Sequence, residues 1–168
     1  GLLAEELRRT GQPQYLAGDT HWRPEAMCRV AEALAAVIQE SGRLPPAVTV
    51  RCRQEPSALS SIGDIRLMLD LPQGRGPDPL ETVRIRQVLS PDNELWKPDR
   101  NADVLVLGDS FSNIYSMPSM GWGESAGLAE QLAFYLQRPV DRISQNDDGA
   151  FATRELLRRE MAAGPEAK

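Results

Sequence analysis

Three side chains in this sequence have the types and spacing that nucleophilic catalysis needs: a serine, a histidine and an aspartate. Ser110 follows Gly108-Asp109 at the abrupt end of an apolar run. A serine hydroxyl is a weak nucleophile and needs a base to take its proton. The chain contains one histidine, His21, so composition alone leaves a single candidate for that base.

The acid that could orient this histidine lies close to it in the sequence. Asp19 comes two residues before His21, and side chains at positions i and i+2 of an extended segment point to the same side. Asp19 can therefore reach one imidazole nitrogen while the other faces Ser110, as in a serine-histidine-aspartate triad. A lone histidine is often an ordinary packed residue, and Gly-Asp-Ser is often a plain turn. Their combination favours catalysis, with Asp109 as a turn anchor and not a second acid.

The apolar run before the serine indicates where it would sit. Four consecutive apolar residues, Val104 to Leu107, predict a strand buried on both faces of a parallel sheet. Such sheets bind their ligands outside the carboxyl ends of the strands. Ser110 is therefore expected on an exposed turn at that edge, where Gly108 lets the backbone bend sharply.

The rest of the chain predicts alternating helices and strands. The expected helices cover 1–9, a segment from Pro24 to Gly42, part of 58–71, 124–137 and 153–161, and the expected strands cover 47–53, 83–89 and 139–144. Arg23 stands where a capping residue would precede the second helix, so its cap is expected to be weak. That helix should pack one face on the sheet through Met27, Val30, Ala31, Leu34, Val37 and Ile38. Loops are expected at 73–79 and 90–100.

Composition excludes several classes of function. At 168 residues, with 41% apolar and 26% charged residues, the chain fits one globular domain. Its net charge of -5 gives no basic surface for nucleic acid, and no apolar run approaches the roughly 20 residues that span a bilayer. Cys28 and Cys52 are expected as buried thiols and not as a disulfide. No zinc-binding spacing or phosphate-binding glycine loop occurs, so neither a metal nor a cofactor is predicted.

Several blocks of the sequence resemble a known family. The segment 108–112, Gly-Asp-Ser-Phe-Ser, resembles the nucleophile block of the SGNH (GDSL-type) hydrolase superfamily. The segment 19–22, Asp-Thr-His-Trp, precedes the serine, and this permuted order resembles the AlgX/AlgJ-like alginate O-acetyltransferase group. Two further stretches, 63–72 and 120–128, add to the resemblance. One departure is Asp-x-His, where most SGNH hydrolases have Asp-x-x-His.

The resemblance implies an architecture. We expect a single α/β domain over 1–168, SGNH hydrolase-like (flavodoxin-like), with a mostly parallel sheet flanked by helices. Residues 43–100 would be an insertion, serving either as the wall of a substrate groove or as plain scaffold. The block at 63–72 is expected to be a packing helix with no catalytic duty. The last strand of the superfamily is missing, so the chain is expected to be a fragment truncated at its C-terminus.

The resemblance also implies an activity: transfer of acetyl groups onto an exported, alginate-like polysaccharide by Ser110, His21 and Asp19. Gly149 stands where the family places an oxyanion-hole glycine, with a turn glycine of positive φ as the equal alternative. Tyr115 and Trp122 are candidates for substrate binding, although Trp122 is more readily a core residue.

The expected partners are a polysaccharide acceptor, an acetyl donor and other subunits of an export or acetylation complex, in the periplasm or outside the cell. Two other functions stay open at this point. The same triad with water as acceptor would make a carbohydrate esterase or deacetylase. A non-catalytic module that binds polysaccharide or a partner protein is the second alternative.

Overall fold

Helices and strands alternate along the chain. The computed structural model describes residues 1–46, 49–70 and 80–163. Within these ranges the helices are α1 (Leu2–Thr10), α2 (Pro24–Glu40), α3 (Asp64–Leu69), α4 (Ser110–Asn113), α5 (Leu128–Leu136) and α6 (Gly149–Ala163). The strands are β1 (Arg53–Ser61), β2 (Glu81–Leu89), β3 (Leu105–Gly108) and β4 (Asp141–Ser144). This alternation confirms the predicted α/β class.

The strands form two small sheets. β1 and β2 pair antiparallel along their full length, from Arg53 opposite Leu89 to Ser61 opposite Glu81. β3 and β4 pair in parallel, and the pairing ends with Gly108 opposite Ser144. The mostly parallel sheet expected from the sequence is thus present, among the described residues, as a parallel pair that leads into Ser110. The antiparallel ribbon is a separate sheet.

The prediction of a strand at 47–53 is wrong for residues 49–52, which the structure describes and which form no strand. Ala47 and Val48 lie outside the described residues, as does the loop expected at 73–79, and β1 begins only at Arg53. β1 then occupies part of the stretch in which a helix was expected, so that helix is confined to α3. The sequence of β1 is largely polar and the ribbon is half-exposed. Apolar and polar residues therefore do not alternate clearly enough along it to predict a strand.

Strand β3 is less buried than its apolar sequence suggests. Leu105 and Leu107 are 41% and 46% exposed, whereas Val104 is buried. Burial on both faces was therefore a wrong prediction. A parallel strand is covered on both faces only when helices or further layers pack on each side, and here one face of β3 stays open.

Helix α2 begins at Pro24 as predicted, and Arg23 provides no side-chain cap. Its buried face differs in part from the predicted one, because Leu34 and Val37 are exposed. Ala35 instead lies in a core cluster with Ala129 and Ala133 of α5. Small residues let two helices approach closely, so α2 packs on α5 through alanines as well as on the sheet.

Two apolar clusters form the core. One lies around Met27, Ile85, Ile114, Tyr115 and Trp122, and the other joins α2 and α5 to the start of β3. Both cysteines are free and buried, as predicted, and burial raises the pKa of the Cys28 thiol to about 11. None of the helices in the described ranges is long and apolar enough to cross a membrane.

Candidate active site

A short β-hairpin carries the predicted acid and base. The Leu16 N–H donates to the His21 carbonyl at 3.0 Å, and the Arg23 N–H donates to the Gln14 carbonyl at 2.9 Å. Tyr15 therefore lies directly opposite Trp22. The residues between these two short arms turn the chain and bring Asp19 back towards His21. The extended segment expected before Asp19 is confirmed, and its pairing with the segment after His21 adds rigidity.

Asp19 and His21 form the predicted pair. His21 Nδ1 lies 2.6 Å from Asp19 Oδ1, and both residues are only 5% exposed. An ionised carboxylate can only accept, so Nδ1 carries the hydrogen and donates it. In the neutral imidazole this leaves Nε2 as the basic nitrogen, which is the tautomer a general base needs.

The Asp19 carboxylate is fully committed to hydrogen bonds. Oδ1 also accepts from the His21 backbone N–H at 3.1 Å, while Oδ2 accepts from the Asp64 N–H at 3.1 Å and from Trp122 Nε1 at 2.8 Å. Burial alone would raise the pKa of Asp19. The hydrogen bonds from His21, Asp64 and Trp122 outweigh that cost and lower the pKa to about 2. Asp19 therefore stays ionised, as an orienting acid must.

A second acid fixes the turn between Asp19 and His21. Asp64 Oδ1 accepts from the Thr20 N–H at 2.8 Å, and Oδ2 accepts from Thr20 Oγ1 at 2.6 Å. Asp64 is the first residue of α3, and Gly63 precedes it. A Cβ on Gly63 would overlap the Gly18 carbonyl, so only glycine allows this approach. The segment expected to be a packing helix is therefore the support of the acid–histidine pair.

The sequence held only a weak signal for this support. Asp64 lies 44 residues from Thr20, and no periodic pattern links two loops at that distance. The family resemblance did mark the block at 63–72, and its Gly-Asp start is the part that reaches the site.

Tyr115 and Trp122 also support the pair from beneath. Both are fully buried, and the Tyr115 hydroxyl donates to the Trp22 carbonyl at 2.6 Å. The core role expected for Trp122 is confirmed, with the added hydrogen bond to Asp19. Neither ring has an exposed face, so a sugar cannot stack on either one in this structure. In place of the expected contact with substrate, we find that they hold Asp19 and the hairpin.

Ser110 opens α4 at the end of β3. Asp109 caps this helix, because its side chain accepts from the Phe111 N–H at 2.9 Å, which confirms its role as a turn anchor. Gly108 is required for a reason other than the expected sharp bend. Its φ is not positive, but a Cβ there would overlap Ser112 Oγ, which itself donates to Ser144 Oγ at 3.1 Å.

The hairpin and the turn at Ser110 meet through Phe111. Its ring centroid lies 4.9 Å from that of His21, so the residue after Ser110 touches the candidate base. His21 Nε2 is buried and has no hydrogen-bond partner among the described residues. The hydrogen bond from Ser110 to His21 is therefore not formed here, and catalytic contact between the two stays a prediction. An unpaired buried acceptor costs about 1–3 kcal/mol of stability. Such acceptors are rare in folded proteins, and a catalytic role is one explanation for them.

Gly149 begins α6 with φ +48° and nothing within 4 Å of an added Cβ. Its left-handed backbone conformation thus favours glycine, as the turn alternative predicted. The loop that precedes it is fixed beside α4, because Asn113 Nδ2 donates to Asn146 Oδ1 at 2.9 Å. Whether the Gly149 N–H serves an oxyanion stays a prediction.

Asp19, His21 and Asp64 are the described residues most able to hold a metal, since one ligand atom of each lies within 4.8 Å of the others. The atoms are already hydrogen-bonded, however. Nδ1 donates to Asp19, whose two oxygens together accept four hydrogen bonds and so use the roughly four lone-pair positions of a carboxylate. The arrangement is one that holds a proton on His21 Nδ1.

Comparison with solved structures relates this geometry to known proteins. The chain superposes on the O-acetyltransferase domain of Pseudomonas putida AlgJ with a TM-score of 0.68 and 19% sequence identity, over 92% of this chain and 50% of that chain. It superposes on Pseudomonas aeruginosa AlgX with a TM-score of 0.56 and 16% identity, over 79% of this chain and 28% of that chain. The chain thus spans at most half the length of these proteins, and the likeness at this identity concerns the fold.

Comparison of the sequence with curated proteins and with family models identifies the family. No curated protein sequence matches the chain. The family model of the SGNH hydrolase-like domain of acetyltransferase AlgX, by contrast, matches residues 3–165. With nearly the whole chain matched and the fold shared with AlgJ and AlgX, this protein belongs to the AlgX-type SGNH hydrolase-like family.

Proposed function

We propose that this domain transfers acetyl groups onto an exported, alginate-like polysaccharide through an acetyl-serine intermediate on Ser110. The geometry of the single histidine carries this proposal. Its Nδ1 is held by the buried Asp19 at 2.6 Å, and its Nε2, at the junction with α4, has no hydrogen-bond partner within the part of the chain that the structure describes. A base that is oriented at one nitrogen and free at the other is what a serine nucleophile requires.

The relatives support the choice of reaction. The matching family model is that of the SGNH hydrolase-like domain of acetyltransferase AlgX, and the P. putida AlgJ domain is an O-acetyltransferase domain. We carry this activity to the present chain as part of the proposal, together with the acetyl donor, the polysaccharide acceptor and the other subunits of an acetylation complex. A periplasmic or exported location belongs to the same proposal.

The reaction proceeds in two transfers. Ser110 Oγ attacks the carbonyl carbon of a donor acetyl ester while its proton passes to His21 Nε2. The donor oxygen leaves with that proton and the acetyl group stays on Ser110. An acceptor sugar hydroxyl then attacks the acetyl-serine, gives its proton to Nε2 and leaves acetylated, and that proton returns to Ser110. Asp19 stabilises the imidazolium in both transfers.

Charge on the tetrahedral intermediates needs donors in fixed positions. The backbone N–H groups of Ser110 and Gly149 are the donors we propose, because the loop before Gly149 is fastened to α4 through Asn113 and Asn146. Such preorganised donors are often the largest single contribution to catalysis.

A double-mutant cycle tests the pair. We expect Asp19→Asn to fold and to lose about 10⁴ in turnover, as removal of the charged acid does in a protease triad. His21→Ala should lose a similar amount, and the double variant should be little worse than either, because the members act as a unit.

Turnover is measured with p-nitrophenyl acetate, with and without an oligosaccharide acceptor. Asp109→Asn is the matched control, since asparagine caps a helix as well as aspartate. Losses that simply add in the double variant would contradict the triad.

The same assay separates the two enzymatic functions. With acetyl-oligosaccharide as the product, the domain is a transferase. With free acetate as the only product in the presence of the acceptor, it is an esterase.

A further inference from the structure

One aromatic pair near the proposed active site is not explained by core packing alone. Tyr15 is 50% exposed, although it lies on the hairpin that carries Asp19 and His21. A single exposed tyrosine is common and means little. Tyr15, however, stands directly opposite Trp22, with the flanking hydrogen bonds that define a closely spaced, non-hydrogen-bonded pair. Residues paired in this way present their side chains on the same side of the hairpin.

The aromatic pair is continuous with the nucleophile turn. Trp22 is partly buried and meets Phe111 edge to face, with ring centroids 5.7 Å apart. Phe111 in turn contacts His21 and directly follows Ser110. Trp22 and Phe111 thus lead from the acid–histidine pair to Tyr15, the exposed cross-strand neighbour of Trp22, and these three residues are here named the aromatic row.

Unmet hydrogen-bonding groups are concentrated on the same hairpin. Among the described residues, the buried side-chain atoms without a hydrogen-bond partner are Gln14 Oε1, His21 Nε2 and Trp22 Nε1. Buried tyrosine and tryptophan usually find a partner for their polar end. These three atoms are closed to solvent, so a sugar at the surface does not reach them. What the hairpin presents to solvent is the Tyr15 ring, and a flat exposed ring matches the flat C–H face of a sugar.

Charge does not provide the attraction here. Arg23 is the only cation between residues 14 and 23. Its side chain is paired with Glu81 at 2.5 Å and with Glu25 at 3.5 Å. A carboxylate-bearing sugar would therefore be held by ring contact and not by an ion pair on this hairpin.

We propose that the aromatic row, with Tyr15 as its exposed end, is the stacking surface for a sugar ring of the acceptor polysaccharide. This rests on the proposed function, because it gives the acceptor a place beside the acetyl-serine. It also assigns to Tyr15 and Trp22 the contact that Tyr115 and Trp122, both buried, cannot make.

Substitutions at Tyr15 test the proposal. We expect Tyr15→Ala and Tyr15→Leu to weaken binding of a mannuronate hexasaccharide about tenfold by calorimetry, the loss expected when one sugar-sized apolar face is removed. Tyr15→Phe keeps the ring and should bind within about twofold of wild type. Added NaCl should not weaken binding of the hexasaccharide to the wild type.

The outcomes separate this surface from the proposed function. Unchanged affinity in Tyr15→Ala, equal affinity in the leucine and phenylalanine variants, or no binding by the wild type would each overturn the stacking surface. Tenfold weaker binding in a protein that turns over no acetyl ester would instead support the surface and contradict the acetyl-transfer function.

Discussion

At the scale of single residues, Asp19 is the centre of the site. It is buried, ionised and bonded on both oxygens, so its position is fixed by four donors from three parts of the chain. His21 owes its tautomer to this carboxylate. The cost of burying the charge is offset by hydrogen bonds to it, which are roughly twice as strong as those between neutral groups.

The lowered pKa of Asp19 predicts a pH dependence of stability. The pKa falls from about 3.9 in an unfolded chain to about 2 in the folded one. A carboxyl with a depressed folded pKa stabilises the fold fully above the unfolded pKa, and this contribution is lost as the pH falls from about 4 through 2. We expect the free energy of urea unfolding to drop by about 2 kcal/mol more in wild type than in Asp19→Asn between pH 5 and acid conditions near pH 2. Equal drops in the two proteins would show that Asp19 is not held as described.

Asp64 is a positioning residue, and its removal should alter His21 without unfolding the domain. Asp64→Ala deletes both acceptors for Thr20. We expect kcat for p-nitrophenyl acetate to fall about tenfold with KM little changed, because a loosened base costs transition-state stabilisation. Because the chain has one histidine, its Nδ1–H resonance is unambiguous in NMR and should exchange faster with water in the variant.

The control for this variant removes the same charge from the other end of α3. Asp70 caps the C-terminus of that helix with φ 41°, a conformation that asparagine accepts readily. Asp70→Asn should leave both kcat and the histidine resonance as in wild type. If Asp64→Ala behaved in the same way as Asp70→Asn, the support assigned to Asp64 would be wrong.

At the scale of elements, the site depends on the contact between the hairpin and the start of α3. The two backbones meet at Gly18 and Gly63, where the Arg66 N–H also approaches the Gly18 carbonyl at 3.4 Å. Only this approach brings the Asp64 N–H to Asp19 and its side chain to Thr20. The exposed apolar residues that follow on α3, such as Leu67 and Met68, have no part in that contact.

Alanine at each of the two glycines should therefore have unequal effects. Gly63→Ala places a Cβ on the Gly18 carbonyl, which is backbone and cannot move aside. The nearest contact of a Cβ at Gly18 is instead the flexible Arg66 side chain at 3.3 Å. Gly63 has φ -71°, so alanine brings no backbone strain there. We expect Gly63→Ala to cost about 1–3 kcal/mol of stability, as overpacking does, and to lose most activity. Thermal unfolding and p-nitrophenyl acetate turnover measure both effects. Similar results for the two variants would contradict the close approach.

At the scale of the whole molecule, the buried Glu130 joins the segment after Ser110 to α5 and β4. Glu130 of α5 accepts from Arg142 of β4 at 2.7 Å and from Ser116 Oγ at 2.8 Å. Burial raises the pKa of Glu130, and Arg142, Ser116 and the backbone oppose that rise only in part. The segment after Ser110 is thus tied to both α5 and β4, which limits how far the serine can move from His21.

The sequence predicted the local contacts of the candidate site better than its surroundings. Residue type and i, i+2 spacing were sufficient for Asp19 and His21, because their contact is local. The turn at Asp109 and the start of α2 at Pro24 are local as well. The support from Asp64 and Trp122 comes from distant segments, and only tertiary packing shows it. Burial of β3 on both faces was wrong because an apolar run does not reveal which layers cover it, and β1 was missed because a polar, half-exposed ribbon has little periodicity.

The measurement that bears most directly on the proposed mechanism is the mass of the enzyme during turnover. Wild-type protein is mixed with p-nitrophenyl acetate, quenched in acid and digested, and the peptide that contains Ser110 is analysed by mass spectrometry. We expect one added acetyl group on Ser110 in wild type, more of it when the acceptor oligosaccharide is left out, and none in Ser110→Ala. Measurable turnover with no acetyl group on Ser110, or with the acetyl group on another residue, would contradict an acetyl-serine mechanism.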